Sequence, residues 1–307
     1  MALDSDLNWT FSLYKKKREI IQQFKGQKRL IIIGGSGVHY GIDALHIEQL
    51  LNMHVINAGL HGGLGLNAIL ECFKGEFSEG DTILLIPEYG IISGKGTGWL
   101  SPFFSVAVGR PGMGGYGFQQ TVEEFLKGGT LNIYSFLKSW AKLFLGKKGR
   151  AYDTVDGRGD VLFFLHDMKA APEKVSNEVS LYAMQRIIEF QKQIRQTGAN
   201  FLIGLPWVLI NENDQKSPET VKNYIVDLAK IAPVLYNDKT LNLSRDLDLF
   251  SDTGLHMNKK GRLIRSLELA NQIEHELAKA QSHKNTQLNK IIQYVPINSW
   301  VAAHPND

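Results

Sequence analysis

The sequence predicts a three-layer α/β/α sandwich around a central, mainly parallel sheet of about five strands. Two observations carry this. Three short apolar runs, Arg29 to Ile33, Met53 to Ala58 and Thr82 to Ile86, follow one another early, and the first two are each trailed by a helical pattern. The same alternation of helix and strand returns between 177 and 281. Short strands that are apolar throughout and separated by helices belong to βαβ units, whose sheet is covered on both faces.

In chain order, residues 1–28 form a helical extension ahead of the first strand. The segment from about Ile42 to Leu51 has helical spacing at Leu45, Leu50 and Leu51, and Leu66 to Phe77 is a second helix. The turn Glu79-Gly80-Asp81 introduces the third strand. From Gly90 to about Gly159 the alternation stops in favour of glycine and aromatic residues, with helices near Thr121 to Leu126 and Leu131 to Leu145. Without sheet elements this stretch is an insertion at about 90–160 within one domain spanning 29–281, and such insertions often form lids or substrate walls. A helix from about Asn177 to Thr197 and a strand Phe201 to Leu205 follow. Ser217-Pro218-Glu219 has the pattern of an N-cap with proline at the first helical position, opening a helix to about Ile231. Val234 to Tyr236 is a brief strand, Asn258 to about Gln281 the last helix, and 282–307 a tail without clear period.

Composition narrows the function classes. The chain of 307 residues carries 34 basic and 31 acidic residues, a balance too even for a nucleic-acid partner, which usually meets a clustered basic face. The runs Lys15-Lys16-Lys17-Arg18 and Lys147-Lys148-Gly149-Arg150 are expected to be a solvated helix face and a loop. The single cysteine, Cys72, excludes an intrachain disulfide and a thiolate metal cage, and its apolar helical surroundings suit a small core residue. No run reaches about 18 apolar residues, so no membrane span is expected. The polar, acidic stretch Met1 to Thr10 is unlike a signal peptide, which predicts a soluble cytoplasmic protein, or an extracytoplasmic one if a leader was trimmed away. Nothing in the sequence sets an oligomeric state.

Two segments carry chemistry. Ser36 stands in Gly34-Gly35-Ser36-Gly37, directly after the first strand and before the first helix, where ligands bind in open α/β folds. The flanking glycines permit a tight turn and close approach of a substrate. Near the other end, Phe250-Ser251-Asp252-Thr253-Gly254-Leu255-His256-Met257-Asn258 sets a carboxylate and an imidazole four residues apart before the last helix. A loop carrying both can hold the carboxylate on one ring nitrogen and leave the other free to take a serine proton.

The order Ser36, Asp252, His256, with the last two adjacent near the C-terminus, resembles the SGNH (GDSL-like) hydrolase superfamily. More narrowly it is similar to the branch of bacterial polysaccharide and cell-wall O-acyl transfer proteins. The resemblance rests on Gly41-Ile42-Asp43, Asn57-Ala58-Gly59 and the block from Asp252 through Gly261. It covers about Arg29 to Glu88 and Phe201 to Ala270, somewhat less than half of the chain. It implies a flavodoxin-like sheet, Ser36 as nucleophile, His256 as general acid/base and Asp252 as its orienter. The amides of Ser36 and Gly59 would form two arms of an oxyanion hole. The implied function is serine-dependent hydrolysis or transfer of a small acyl (acetyl) group, on a saccharide ester and without a cofactor. The alternative is a non-catalytic carbohydrate-binding or assembly protein.

Two departures matter. The Gly-x-Asn block after the third strand is replaced by Pro87-Glu88-Tyr89-Gly90, and the Asp-to-His spacing is one longer than the commonest form. A missing asparagine donor typically costs about 10²–10³ in rate, unless Asn57, Asn67 or an insertion residue substitutes. Glu88 is expected to anchor a loop or bind a substrate hydroxyl. His39 and His61 are expected to line the cleft, and Trp99 or Tyr116 to stack on a sugar face, with Gly94 to Gly117 as a mobile substrate wall.

Other sites fit poorly. His39, His46, His54 and His61 lack the spacing of a zinc site, so no metal is expected. The turn at Gly35 has one residue too many for G-x-G-x-x-G, the second strand ends without an acidic ribose ligand, and no Lys-Ser/Thr pair follows as in a P-loop.

Overall fold

The computed structural model describes residues 3–115, 117, 119, 122–123, 137–138, 141, 154–162, 169–175 and 177–294, with side chains at all of these but 3–5, 280, 281 and 283–294. Tyr116, most of the helices expected near 121–126 and 131–145, and the basic run at 147–150 lie outside this description.

Five strands make the central sheet: β1 (Arg29–Gly34), β2 (His54–Asn57), β3 (Thr82–Ile86), β4 (Asn200–Gly204) and β6 (Val234–Leu235). Their order is β2-β1-β3-β4-β6, and every pair is parallel. Side chains alternate between two cores. Ile31, Ile33, Ile83, Leu85 and Ile203 face one, covered by α1 (Leu3–Gln23), α4 (Gly65–Cys72), α6 (Ser101–Ala107), α7 (Leu181–Gln196) and α8 (Lys216–Ala229). Leu30, Ile32, Leu84, Ile86 and Leu202 face the other, under α2 (Ser36–Gly41), α3 (Ala44–Leu51) and α9 (Lys259–Tyr294). Apolar residues on both strand faces therefore build the three layers expected of them. A short α5 (Tyr89–Ile92) follows β3, and β5 (Val208–Leu209) pairs in parallel with β7 (Leu243–Ser244) as a separate ribbon.

The order reverses between β1 and β3, since the chain runs from β1 outward to β2 and returns to β3 on the other side. A crevice opens at the carboxyl ends of strands at such a switch point. Parallel pairing of Gly34 with Ile86 starts the loops carrying Ser36 and Glu88 side by side there.

Several boundaries differ from expectation. Within the extension expected at 1–28 the helix α1 spans Leu3–Gln23, and its Leu7, Trp9, Leu13, Tyr14, Ile20 and Ile21 are buried in the main core. Its Ile21 carbonyl accepts Arg29 Nη1, while Arg29 forks onto both oxygens of Asp81 in a fully buried pair. Lys17 is fully buried as well, so the basic run is not wholly a solvated face. Ser217 does not cap α8. Asp214 accepts the amides of Lys216 and Ser217, and the buried Ser217 hydroxyl accepts the Val175 amide. The last helix runs on to Tyr294, past the expected end at 281.

The glycine-rich stretch from Gly94 is packed rather than free. Asn67 donates its amide to Gly96 and Leu100 donates to Gly63, while Leu100, Phe103 and Phe104 are buried. At Gly98 a side chain would collide with the backbone of Gly63 to Gly65, so glycine serves close packing there rather than hinging.

Candidate active site

The Ser36 turn is built by close approach. A Cβ at Gly34 would collide with the Ile86 carbonyl and with Val38, and one at Gly35 with the Glu88 carboxyl. The Gly35 carbonyl accepts the amides of both Val38 and His39, which winds α2 immediately behind the strand. Ser36 is thereby held half-buried at the carboxyl edge of β1.

The second segment is closed by an antiparallel bridge between Phe250 and Met257 and by the Ser251 amide donating to the His256 carbonyl. Thr253 Oγ1 accepts the amides of Leu255 and His256, bringing the chain back within the extra residue of the Asp-to-His spacing. Asn258 Oδ1 accepts the Gly261 amide and caps α9. A Cβ at Gly261 would collide with the Leu249 carbonyl. Thr253, Asn258 and Gly261 of this block thus each have a local task.

The two segments meet. His256 Nε2 lies 2.8 Å from Ser36 Oγ, and His256 Nδ1 lies 2.8 Å from Asp252 Oδ1. Asp252 Oδ1 also accepts the Ser251 hydroxyl at 3.0 Å. Burial raises the Asp252 carboxyl, but hydrogen bonds and the charge of His256 outweigh it, and the net displacement is downward. Asp252 therefore stays anionic, fixes the Nδ1–H tautomer, and leaves Nε2 as an acceptor for the serine hydroxyl. That arrangement can activate Ser36 by general-base catalysis.

The cleft beside Ser36 has a volume of about 380 Å³ and includes Gly62, Glu88, Ile91, Lys174 and Leu255 in its walls. A second cavity of about 570 Å³ shares Glu173 and Lys174 with it and continues along Asn211, Asn213 and Gln215.

Other expected residues fall elsewhere. The Gly59 amide donates to Asn57 Oδ1 at 3.1 Å, so its N–H is engaged internally instead of forming an oxyanion arm. A Cβ at Gly59 would strike His39 N and Val38, which accounts for the glycine. Asn57 is fully buried: its Nδ2 donates to Asp160 Oδ1 and to the Val38 carbonyl, so it does not reach the cleft. Lys17 Nζ binds Asn57 Oδ1, the Gly59 carbonyl and His39 Nδ1. His39 is fully buried, and burial first, then the charge of Lys17, holds its ring well below the ordinary histidine range. It is a neutral structural acceptor, not a lining residue.

His61 stays half-buried beside the cleft, its Nδ1 accepting the Gly63 amide, with Trp9 and Trp99 packed edge-on against its ring. Trp99 is 44% exposed. Asn67 is buried and bound to Tyr182 and Arg186, so it does not replace the missing asparagine. Glu88 accepts the Gly37 amide at 2.7 Å, so its largely buried carboxyl anchors the Ser36 turn at the cleft wall.

Sequence reasoning missed Lys17 and Asp160. Burial pushes Asp160 up to about 6, while Arg262 opposes this, and its oxygens accept the amides of Ala44 and the Asn57 side chain. A lysine inside a basic run and an aspartate among turn residues give no signal of burial. Cys72 is buried, and burial pushes its thiol far above the ordinary range.

Among the described residues no helix is long and apolar enough to cross a membrane, and no group of three or more His, Cys, Asp or Glu side chains stands ready for a metal ion. No protein-family model, curated protein or solved structure matches the chain.

Proposed function

We propose that this chain is a serine-dependent acyl-ester hydrolase or O-acyltransferase of SGNH type, with Ser36 as nucleophile, His256 as general acid/base and Asp252 as orienter. The observation that carries the reading is the unbroken relay from Asp252 through His256 to Ser36, with both links at 2.8 Å, between segments 220 residues apart in sequence. Its position at the carboxyl edge of β1, beside the switch point, supports it. The Ser36 hydroxyl attacks an ester carbonyl while His256 Nε2 takes its proton. His256 then returns the proton to the leaving alkoxide, and an acyl-Ser36 forms. Water or a second hydroxyl group, deprotonated by the same nitrogen, releases the acyl group.

For the acceptor we favour a saccharide hydroxyl. The cavity beyond Lys174 is lined by side-chain amides suited to hydroxyl groups, and the exposed indole of Trp99 offers a face for a sugar ring.

A fluorophosphonate probe tests the reading, because it needs an activated hydroxyl and little substrate recognition. It should label Ser36 in the native protein and fail on Ser36→Ala and His256→Ala. Labelling of another serine in Ser36→Ala would move the nucleophile elsewhere. Two observations favour a second reading, a carbohydrate-binding protein without turnover: Gly59 N–H is engaged by Asn57, and Glu88 stands where an asparagine donor is expected. Absence of all labelling would favour it.

A further inference from the structure

Glu88 packs under the turn that presents Ser36. Its Oε1 accepts the Gly37 amide, and a Cβ at Gly35 would collide with both carboxyl oxygens, so the group touches the residues on either side of Ser36. The place where a Gly62 Cβ would stand is 3.8 Å from Ser36 Oγ and 3.9 Å from Glu88 Oε1, so both face one corner of the cleft. Glu88 is 5% exposed, and its Oε2 is buried without a hydrogen-bond partner. Among the described residues it forms no ion pair. As a carboxylate it would leave a bare anionic oxygen in a low-dielectric site, a cost that protonation removes.

We propose that Glu88 is a positioning residue for Ser36: as a neutral carboxylic acid it clamps the Gly35-Ser36-Gly37 turn and sets the aim of the serine hydroxyl. The inference rests on the proposed Ser36 chemistry and deepens it. Oε1 remains the acceptor for Gly37, and Oε2 carries the proton. Neutrality has a second consequence, since the negative charge that develops on a substrate carbonyl beside Ser36 would be opposed by an ionised carboxylate in the same corner. Burial pushes the Glu88 carboxyl above its ordinary range, while the amides of Gly37 and Gly35 and the charge of His256 pull the other way. The titratable groups around it are His256 from the loop before α9, Glu173 and Lys174 across the cleft, and Tyr89, the next residue, at the start of α5. Toward it α2 presents backbone amides.

The test follows the rate of Ser36 phosphonylation by a fluorophosphonate from pH 5 to 10 in the wild type, Glu88→Gln and Glu88→Ala. The wild-type rate should fall where rising pH ionises Glu88, whose carboxyl burial holds above its ordinary range. Glu88→Ala should lose about 10²-fold or more, the scale of a lost oxyanion-site group. Glu88→Gln keeps an acceptor for Gly37 and cannot ionise, so it should rescue most of that loss and abolish the alkaline fall. An alkaline fall that persists in Glu88→Gln overturns the inference, and so does a Glu88→Gln as slow as Glu88→Ala, which would mean that the carboxylate charge itself is needed. Should Glu88→Ala fail to fold, the Glu88→Gln profile decides alone. Absence of labelling in the wild type at every pH sinks the Ser36 chemistry and this inference with it, whereas either Glu88→Gln outcome above leaves that chemistry standing.

Discussion

Lys17, inside the N-terminal helix, donates a hydrogen bond to the Gly59 carbonyl at 2.6 Å from a fully buried position. The helix thereby reaches through the domain to the loop that borders the Ser36 turn. Replacing Lys17 by methionine keeps the volume but orphans a buried carbonyl, which costs about 1–3 kcal/mol. The variant should melt several degrees lower and label more slowly at Ser36. A Lys17→Met protein with unchanged Tm and unchanged labelling would show that this contact does not hold the loop.

The same lysine has a pH signature. Burial pushes its ammonium down to about 7, against the attraction of Asp160. Between that value and the ordinary lysine value near 10.4 the unfolded chain binds the extra proton, so this group makes stability rise with pH across that window. Below about 7 the full penalty of a buried charge is present. Chemical denaturation from pH 7 to 10 should therefore show wild-type stability climbing relative to Lys17→Met. Parallel curves would mean that the ammonium stays charged throughout.

Asp252→Asn should leave the fold intact and remove most of the reactivity. The amide offers its oxygen to His256 less strongly and can select the wrong tautomer, an effect of about 10⁴ in kcat where such a triad operates. Because the Asp252 carboxyl is depressed in the folded state, its stabilising contribution is present above about pH 4, the unfolded value, and is lost as pH falls through the folded one. The variant should lose that acid limb of the stability curve. Equal labelling rates in Asp252→Asn and the wild type would remove Asp252 from the relay.

Much of this was legible in the sequence, for physical reasons. Apolar runs such as Arg29 to Ile33 are buried on both faces, so their composition alone announces a parallel sheet. Ser36 and the Asp252–His256 pair were readable because strand end, turn glycines and helix cap are all local features. What was not legible depends on distant packing. The Lys17 ammonium is buried because α1 crosses behind the Asn57–Gly59 loop, and no spacing within Lys15 to Arg18 distinguishes it from its solvated neighbours. Asn57 and Gly59 stand out together in the sequence, but their roles depend on a bond between them: the Asn57 side chain holds the Gly59 amide that the resemblance places toward substrate. The glycines from Gly94 to Gly117 suggest mobility, yet Gly96 and Gly98 are positions where a neighbour leaves no room for a side chain.

Gly35→Ala tests how tightly the Ser36 turn is made. A methyl group there collides with both Glu88 oxygens, so the turn must shift and labelling should fall by roughly 10²-fold, the scale associated with small displacements of reacting groups. Combining it with Glu88→Ala removes the obstacle, and the two losses should be less than additive. Strict additivity would place the damage of Gly35→Ala somewhere other than Glu88.

Trp99→Ala separates acceptor binding from bond chemistry. The indole packs edge-on to His61 and is 44% exposed, so it can present a face to a sugar without touching Ser36. Labelling by the small probe should stay within about twofold, while protection of Ser36 by added oligosaccharide should weaken about tenfold, the factor for roughly 1.4 kcal/mol of a lost ring contact. Equal protection in both proteins would exclude Trp99 as the platform.

Acyl-chain length is the sharpest check on the substrate. The cleft beside Ser36 is about 380 Å³, with Ile91, Val175, Val208 and Leu255 interrupted by Glu173 and Lys174. A long acyl chain gains roughly 0.8 kcal/mol for each methylene only where a continuous apolar channel receives it. Glu173 and Lys174 bring charge into these walls, which suits a short acyl group better than an extended apolar chain. Aryl acetate should therefore be turned over faster than aryl octanoate, and added oligosaccharide should accept acetate if the enzyme is a transferase. Acetate released only to water would assign it as an esterase. A clear preference for chains of about eight carbons or more would overturn the saccharide reading, because such a preference requires a buried apolar path that the Glu173 and Lys174 wall interrupts.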